Sequence, residues 1–165
     1  MKGTTVARKL RKRMGRFSGD LSKGLCAVVQ RFVSEMVYGI QASQSVMLTQ
    51  IGRSLEEDIP LCQTQERLSR NLQREELERT VGRNLLGMAA SHVGRDTLLV
   101  VDPSDITKKY AKKMEFLAPV RDGSEQELGP GYWTLHVIGA RVGSQQITPL
   151  YQRLWSAQAP DFVSE

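Results

Sequence analysis

Hydrophobic residues along the first ninety positions recur at helical spacing. Leu21, Leu25, Val28, Val29, Phe32, Val33, Met36 and Val37 fall on a three-to-four-residue period, with Gly39 marking the expected end of that helix. Ser43 is placed to cap a second helix through Gln44–Leu55, carrying Val46, Met47, Leu48, Ile51 and Leu55. The acidic turn Glu56-Glu57-Asp58 and Pro60 stop it. Thr64 is placed to cap a third helix bearing Leu68 and Leu72. A fourth is expected from about Glu75 to Met88, with Leu77, Val81, Leu85 and Leu86 inward.

The pattern then changes. Thr97-Leu98-Leu99-Val100-Val101, bounded by Gly94 and Asp102-Pro103, is a short apolar run that predicts a strand buried on both faces, with Asp102 at its C-terminal end facing a cleft. Ile106 to Leu117 reads as a lysine-rich helical or irregular stretch, and Arg121 to Gly131 as a loop. Tyr132 to Arg141 is a second strand, Val142-Gly143-Ser144 a tight turn and Gln145 to Tyr151 the hairpin partner. The expected class is α+β, with the boundary between the helical and mixed parts near residues 90–96. Three segments are expected: a basic arm over 1–25, a helical domain over 26–92 and a strand-containing domain over 96–165.

Composition changes this picture in one place. The 165-residue chain is 40% hydrophobic and 25% charged, as globular proteins are, with no apolar run of membrane-spanning length. No apolar stretch follows the basic N-terminus as a secretory signal requires. Cys26 and Cys62 match no metal-ligand spacing; both have apolar sequence neighbours and read as buried thiols of a reducing cytoplasm. The net charge is +5, yet residues 1–25 alone carry eight basic side chains and one acid, Asp20. Arg8, Lys9, Arg11, Lys12, Arg13 and Arg16 form a block suited to phosphates of nucleic acid. A solvated tail is the competing reading.

Further candidates are spread along the chain. Arg67, Arg70 and Arg74 share a helix face that suits a DNA groove, or a surface stripe paired with Glu66, Glu75 and Glu78. Lys108, Lys109, Lys112 and Lys113 recur as one face of a helix and could meet phosphates, or simply be solvated. Asp102, rigidly placed after the apolar run, suits a hard divalent cation, although an Asp in such a place is also a common turn former. Asp105 reads as a cap, His136 as a structural strand residue, and Trp133 and Trp155 as core aromatics. Tyr132 could stack on an unpaired base.

The order of these features resembles the opening of a DDE-type insertion-sequence transposase domain. The resemblance is carried by Asp102-Pro103-Ser104-Asp105-Ile106, then Gly131-Tyr132-Trp133-Thr134-Leu135-His136-Val137, then Pro149-Leu150-Tyr151-Gln152-Arg153-Leu154-Trp155. Upstream, Ser43-Gln44-Ser45-Val46 and Thr64 to Leu72 resemble the helical N-terminal region of these enzymes. It covers roughly residues 40–155. It implies an RNase H-like catalytic fold, of which this chain holds the first three antiparallel strands, behind a DNA-binding helical region. It also implies two magnesium ions held by two Asp and one Glu, with Asp102 the first metal ligand and catalytic carboxylate, and double-stranded DNA as partner; a homodimer is left open. The metals would activate a water for phosphodiester hydrolysis and then a 3′-hydroxyl for strand transfer. The second Asp and the Glu of the family come from later segments. Asp161 and Glu165 come too early to supply them, so the chain reads as an N-terminal portion. The alternative is a non-catalytic DNA-binding or regulatory protein.

Overall fold

The computed structural model describes residues 2–111, 113–123, 127–160 and 162. The chain is α+β, with five helices followed by a four-stranded antiparallel sheet among the described residues. It forms two compact units, residues 1–85 and 86–165.

The helical unit begins with α1 (Lys2–Leu21) and α2 (Ala27–Ser43), followed by α3 (Leu48–Ser54) and α4 (Leu61–Leu72). Helix α5 (Glu75–Ala90) begins in this unit and crosses the boundary. Leu21, Leu25, Val29, Phe32, Val33, Ile51 and Leu68 are buried and make the core. On α2 the i, i+3, i+4 spacing of Val29, Phe32 and Val33 puts them on one stripe, whereas Val28, off that stripe, is exposed. Gly39 does not end α2. It is buried inside the helix, where an added Cβ would collide with the Ile51 side chain, so it is the point at which α2 and α3 approach. The helix runs on to Ser43, whose hydroxyl donates to the Gly39 carbonyl at 2.6 Å, and Gln44 breaks it with a left-handed backbone, φ 52°. Ser43 thus serves a helix C-terminus rather than the expected N-terminus. Thr64 likewise lies inside α4, buried, with Pro60 preceding the helix. Cys26 and Cys62 are exposed, correcting the expectation of buried thiols. Both sit at helix starts, off the apolar stripes their neighbours belong to.

The sheet contains β1 (Leu98–Thr107), β2 (Ala118–Arg121), β3 (Leu128–Ala140) and β4 (Ile147–Trp155). Strand β3 is central. It pairs with β1 along residues 131–140, and Gly131 is shared between Thr107 of β1 and Ala118 of β2. Since a residue has one partner on each edge, β2 and β4 lie end to end on the edge of β3 opposite β1. The expected β3–β4 hairpin and the β1–β3 neighbours are both present. A β-bulge lies between Val137 and Ile138.

Proline placement follows the hydrogen-bond alternation of these ladders. The Lys108 amide donates to the Pro130 carbonyl at 2.7 Å, continuing the β1–β3 register. Even-numbered residues of β1 therefore aim their backbone groups at β3 and odd-numbered ones aim them away. Pro103 is odd, so its missing N–H removes nothing from the ladder. Pro119 and Pro130 face each other at a position of the β2–β3 ladder that exchanges no bonds, because the Pro130 carbonyl points toward β1.

Two expectations for β1 are corrected, the first by this alternation. First, β1 does not stop at Asp102-Pro103 but continues to Thr107, so Asp102 lies in mid-strand opposite His136. Second, Leu98, Leu99, Val100 and Val101 are not buried on both faces. They are between 44% and 62% exposed, because no second layer covers β1 among the described residues of this unit. The stretch after β1 is turn and irregular backbone rather than helix, and the expected loop near residue 121 instead contains the end of β2 and the start of β3.

Candidate nucleic-acid interface

Residues 2–21, read as an arm, form a continuous helix within the helical unit. At 100° per residue, Leu10, Met14, Phe17 and Leu21 fall on one side, and Arg8, Lys9, Arg11, Lys12, Arg13 and Arg16 on an arc of roughly 200° around the other. All six basic side chains are exposed. None has an acidic partner among the described ion pairs. Leu10, Met14 and Phe17, with Arg13, line an open groove whose other wall is Val37, Tyr38, Gln41 and Ala42 of α2, and Leu10 and Phe17 remain exposed in it. The end of α1 is held by Ser22, which is buried and donates to the Ser18 carbonyl at 2.7 Å. Asn84 of α5 also donates to the carbonyls of Leu21 and Lys23, both at 2.9 Å. The α1 backbone thus holds the six cations, from Arg8 to Arg16, along about 12 Å of one helix. The spacing of Leu10, Met14, Phe17 and Leu21 was the signal for this helix, and the density of charge around it masked the period.

The α4 arginines are differently occupied. Arg67 is partly buried and engages Glu35 of α2 through Nη1. Its Nη2 meets Glu57 Oε2 at 2.8 Å and Oε1 at 2.9 Å. Glu57 also accepts from Thr64 Oγ1 at 2.8 Å, and Arg31 reaches Glu35 at 2.7 Å and Glu57 at 3.4 Å. Burial works against the Glu57 carboxylate. Hydrogen bonds from Arg67 and Thr64, with the charges of Arg67 and Arg31, outweigh it and hold its pKa below the ordinary carboxylate value. Burial likewise disfavours the Arg67 cation, but Glu35 and Glu57 raise its pKa above the usual value. Arg67 is therefore a bracket joining α2, α4 and the turn between α3 and α4, with its charge matched inside the unit. Sequence spacing paired it with none of these acids, because Glu35 is 32 residues away. Arg70 pairs with Glu66 at 3.2 Å, as the stripe reading expected. Arg74 pairs with Glu76 at 3.6 Å and donates through Nε to Asn71 at 3.2 Å.

In the sheet unit, Lys108 and Lys109 lie in the turn that leaves β1 and Lys113 in the bend that follows, all exposed but not on a helix face. Lys112 lies outside the described residues. Asp102 is exposed and accepts from the Ser104 hydroxyl at 3.1 Å. Across the sheet it forms a row with His136 and Gln152. Asp105 points to the other face. It accepts from Thr107 Oγ1 at 3.0 Å and from the Gly123 amide at 3.1 Å, the second of which ties β1 to the turn after β2. Trp133 and Trp155 are cross-strand partners and half-buried. The Tyr132 hydroxyl donates to the Glu115 carbonyl.

Among the described residues no group of three or more His, Cys, Asp or Glu side chains could hold a metal ion. No described helix is long and apolar enough to cross a membrane. No protein-family model matches the chain, and no curated protein and no solved structure is found to match it.

Proposed function

We propose that the helical unit binds double-stranded DNA through the basic face of α1, and that the chain is the N-terminal portion of a DDE-type insertion-sequence transposase. The DNA-binding part rests on one observation: six exposed cations on the side of α1 opposite its apolar residues, with no acidic partner among the described residues. A helix presented this way can lie along a groove or a phosphate backbone, and each neutralised phosphate releases a condensed counterion. Arg67 is left out of the interface because two carboxylates already match its charge. Arg70, Arg74, Lys108, Lys109 and Lys113 are secondary contacts in this reading.

The transposase part rests on the resemblance over residues 40–155. In it Asp102 would be one magnesium ligand among carboxylates supplied from elsewhere, since the described residues alone make no two-ion site. Magnesium, when bound, would supply an activated oxygen nucleophile and stabilise the leaving oxygen. The basic side of α1 needs no metal to meet phosphates, and this favours a second reading, a DNA-binding or regulatory protein without chemistry of its own.

Fluorescence anisotropy with a duplex, repeated over a salt series, tests the DNA reading. Neutralising about six phosphates gives a log–log salt slope near −5. Replacing Arg8, Lys9, Arg11, Lys12, Arg13 and Arg16 by Gln should flatten that slope and lower affinity about a thousandfold at low salt. An unchanged slope means that α1 does not contact DNA. The two readings separate on the genomic sequence past codon 165. A second Asp-bearing strand and a Glu-bearing helix, in frame or shifted, support the transposase; a continuation with neither leaves only DNA binding.

A further inference from the structure

Where β1 begins and β3 ends, three segments of the sheet unit enclose a cavity of about 210 Å³. They are the turn after α5 with Ser91 and His92, the turn from Gly94 to Thr97 that leads into β1, and the β3–β4 hairpin turn from Arg141 to Gln146. Backbone bonds fix these walls. The Thr97 amide donates to the Gly94 carbonyl at 3.0 Å, and the Ser144 amide to the Arg141 carbonyl at 3.1 Å. The pairing of Leu98 with Ala140 sets the two turns side by side.

The lining side chains are polar, and most of what they have left to offer is protons. Thr97 Oγ1 accepts from the Gly94 amide at 2.9 Å, and Ser144 Oγ accepts from the Gln146 backbone amide at 3.1 Å. Each hydroxyl therefore keeps its own proton to donate. The side-chain amide nitrogen of Gln146 lies 3.4 Å from His92 Nδ1. An amide nitrogen only donates, so Nδ1 accepts and the neutral imidazole carries its proton on Nε2. Arg141 has no acidic partner among the described ion pairs. Its Nη2 fills the space beside Gly94, 3.1 Å from where a Cβ would stand. Ser91 is spent on the Met88 carbonyl at 3.0 Å. No carboxylate lines the cavity; Arg95 and Asp96, in the adjoining turn, are not part of its wall.

We propose that this cavity is an oxyanion site that takes a phosphate group. Four donors from three segments, one of them a guanidinium, line one space without a competing acid. That suits a tetrahedral dianion and offers a cation nothing of opposite charge. The volume decides how much of a ligand enters. It is below the roughly 300–1,000 Å³ of sites for drug-sized molecules, so the phosphate itself is enclosed and any group esterified to it extends through the open mouth. The chemistry is the same for inorganic phosphate and for the phosphate of a nucleotide. The site belongs to the sheet unit and does not rest on the DNA reading of α1.

Nuclear magnetic resonance of the full chain tests this, because the sequence has two histidines and only His92 lines the cavity. The Cε1–H resonance of His92 is followed as sodium phosphate, thymidine 5′-monophosphate, thymidine or sodium chloride is added, each series matched in pH and ionic strength. His136 of β3 is the internal reference. The expected result is a saturable shift of His92 with a phosphate, at a dissociation constant on the order of 1 mM or lower, and none with thymidine or chloride. The tighter of the two phosphates identifies the source. Arg141→Gln should weaken binding about tenfold or more and Ser144→Ala about two- to tenfold, as expected for charged and neutral hydrogen bonds. Both side chains are exposed, so neither variant opens the core, and Ser144→Ala covers the case in which the arginine variant fails to fold. No saturable His92 shift with either phosphate overturns the proposal. So does an equal shift with chloride or thymidine, or binding indifferent to Arg141→Gln.

Discussion

The two units solve the burial problem in different ways. In the helical unit Leu21 at the end of α1 joins Val29, Phe32, Ile51 and Leu68 of α2 to α4 in a closed core, around which polar side chains form brackets such as Arg67 with Glu35 and Glu57. In the sheet unit the buried apolar residues are small or few, Ala89, Ala118 and Val120, while Leu98, Leu99, Val101, Ile147 and Leu154 stay more than half exposed. The first unit is organised by side-chain packing and the second by backbone ladders. A short strand segment rich in Leu and Val is therefore no proof of a buried strand.

The same substitution should separate the two most sharply. Leu68 is fully buried, so Leu68→Ala should destabilise the helical unit by about 2–5 kcal/mol in urea unfolding. Leu98→Ala, at an exposed site, should change stability by no more than about 0.5 kcal/mol. Equal effects at the two positions would mean that β1 is covered in solution by something beyond its own unit.

A smaller effect should come from the Arg67 bracket, which has no counterpart in the sheet. Arg67→Ala should cost about 1.5–3 kcal/mol, the range for hydrogen bonds to a charged group. The pH dependence has a definite sign. The Glu57 pKa is lowered by folding, so its contribution is present above the ordinary glutamate value of about 4.3 and is lost as pH falls through the lower folded value. The Arg67 pKa is raised from an already high value, so its contribution persists throughout that range. Thermal melts from neutral pH downward should show a steeper acid loss in the native chain than in Glu57→Gln. Parallel curves would remove Glu57 from the acid response.

Two glycines extend the comparison to the backbone. Gly131 lies where an added Cβ would strike the Ile106 backbone and the Val120 side chain, so Gly131→Ala should destabilise the sheet by about 1–3 kcal/mol. Gly82, inside α5, has open space around it, and Gly82→Ala should stabilise by about 0.5–1 kcal/mol through helix propensity. A reversed order in differential scanning calorimetry would contradict the packing described for β3.

Local pattern alone determined much of this protein. The three-to-four-residue period located the α2 core stripe and most of α5, and the alternation of apolar runs with turn residues located the β3–β4 hairpin. The change from helix to strand was legible because these signals depend only on neighbours along the chain. The basic face of α1 was present in the same letters, but its amphipathic period had to be looked for beneath the charge. What lay out of reach depended on partners distant in sequence. Arg67 finds acids on α2 and in the turn before α4 only after those segments fold against α4. Gly39 becomes a contact point because Ile51 arrives beside it. Pro103 ends a strand by ordinary propensity, yet β1 passes through it because pairing with β3 turns its nitrogen outward. Tertiary structure decided these cases because hydrogen-bond direction and burial are properties of two segments together, and a single segment does not encode its neighbour.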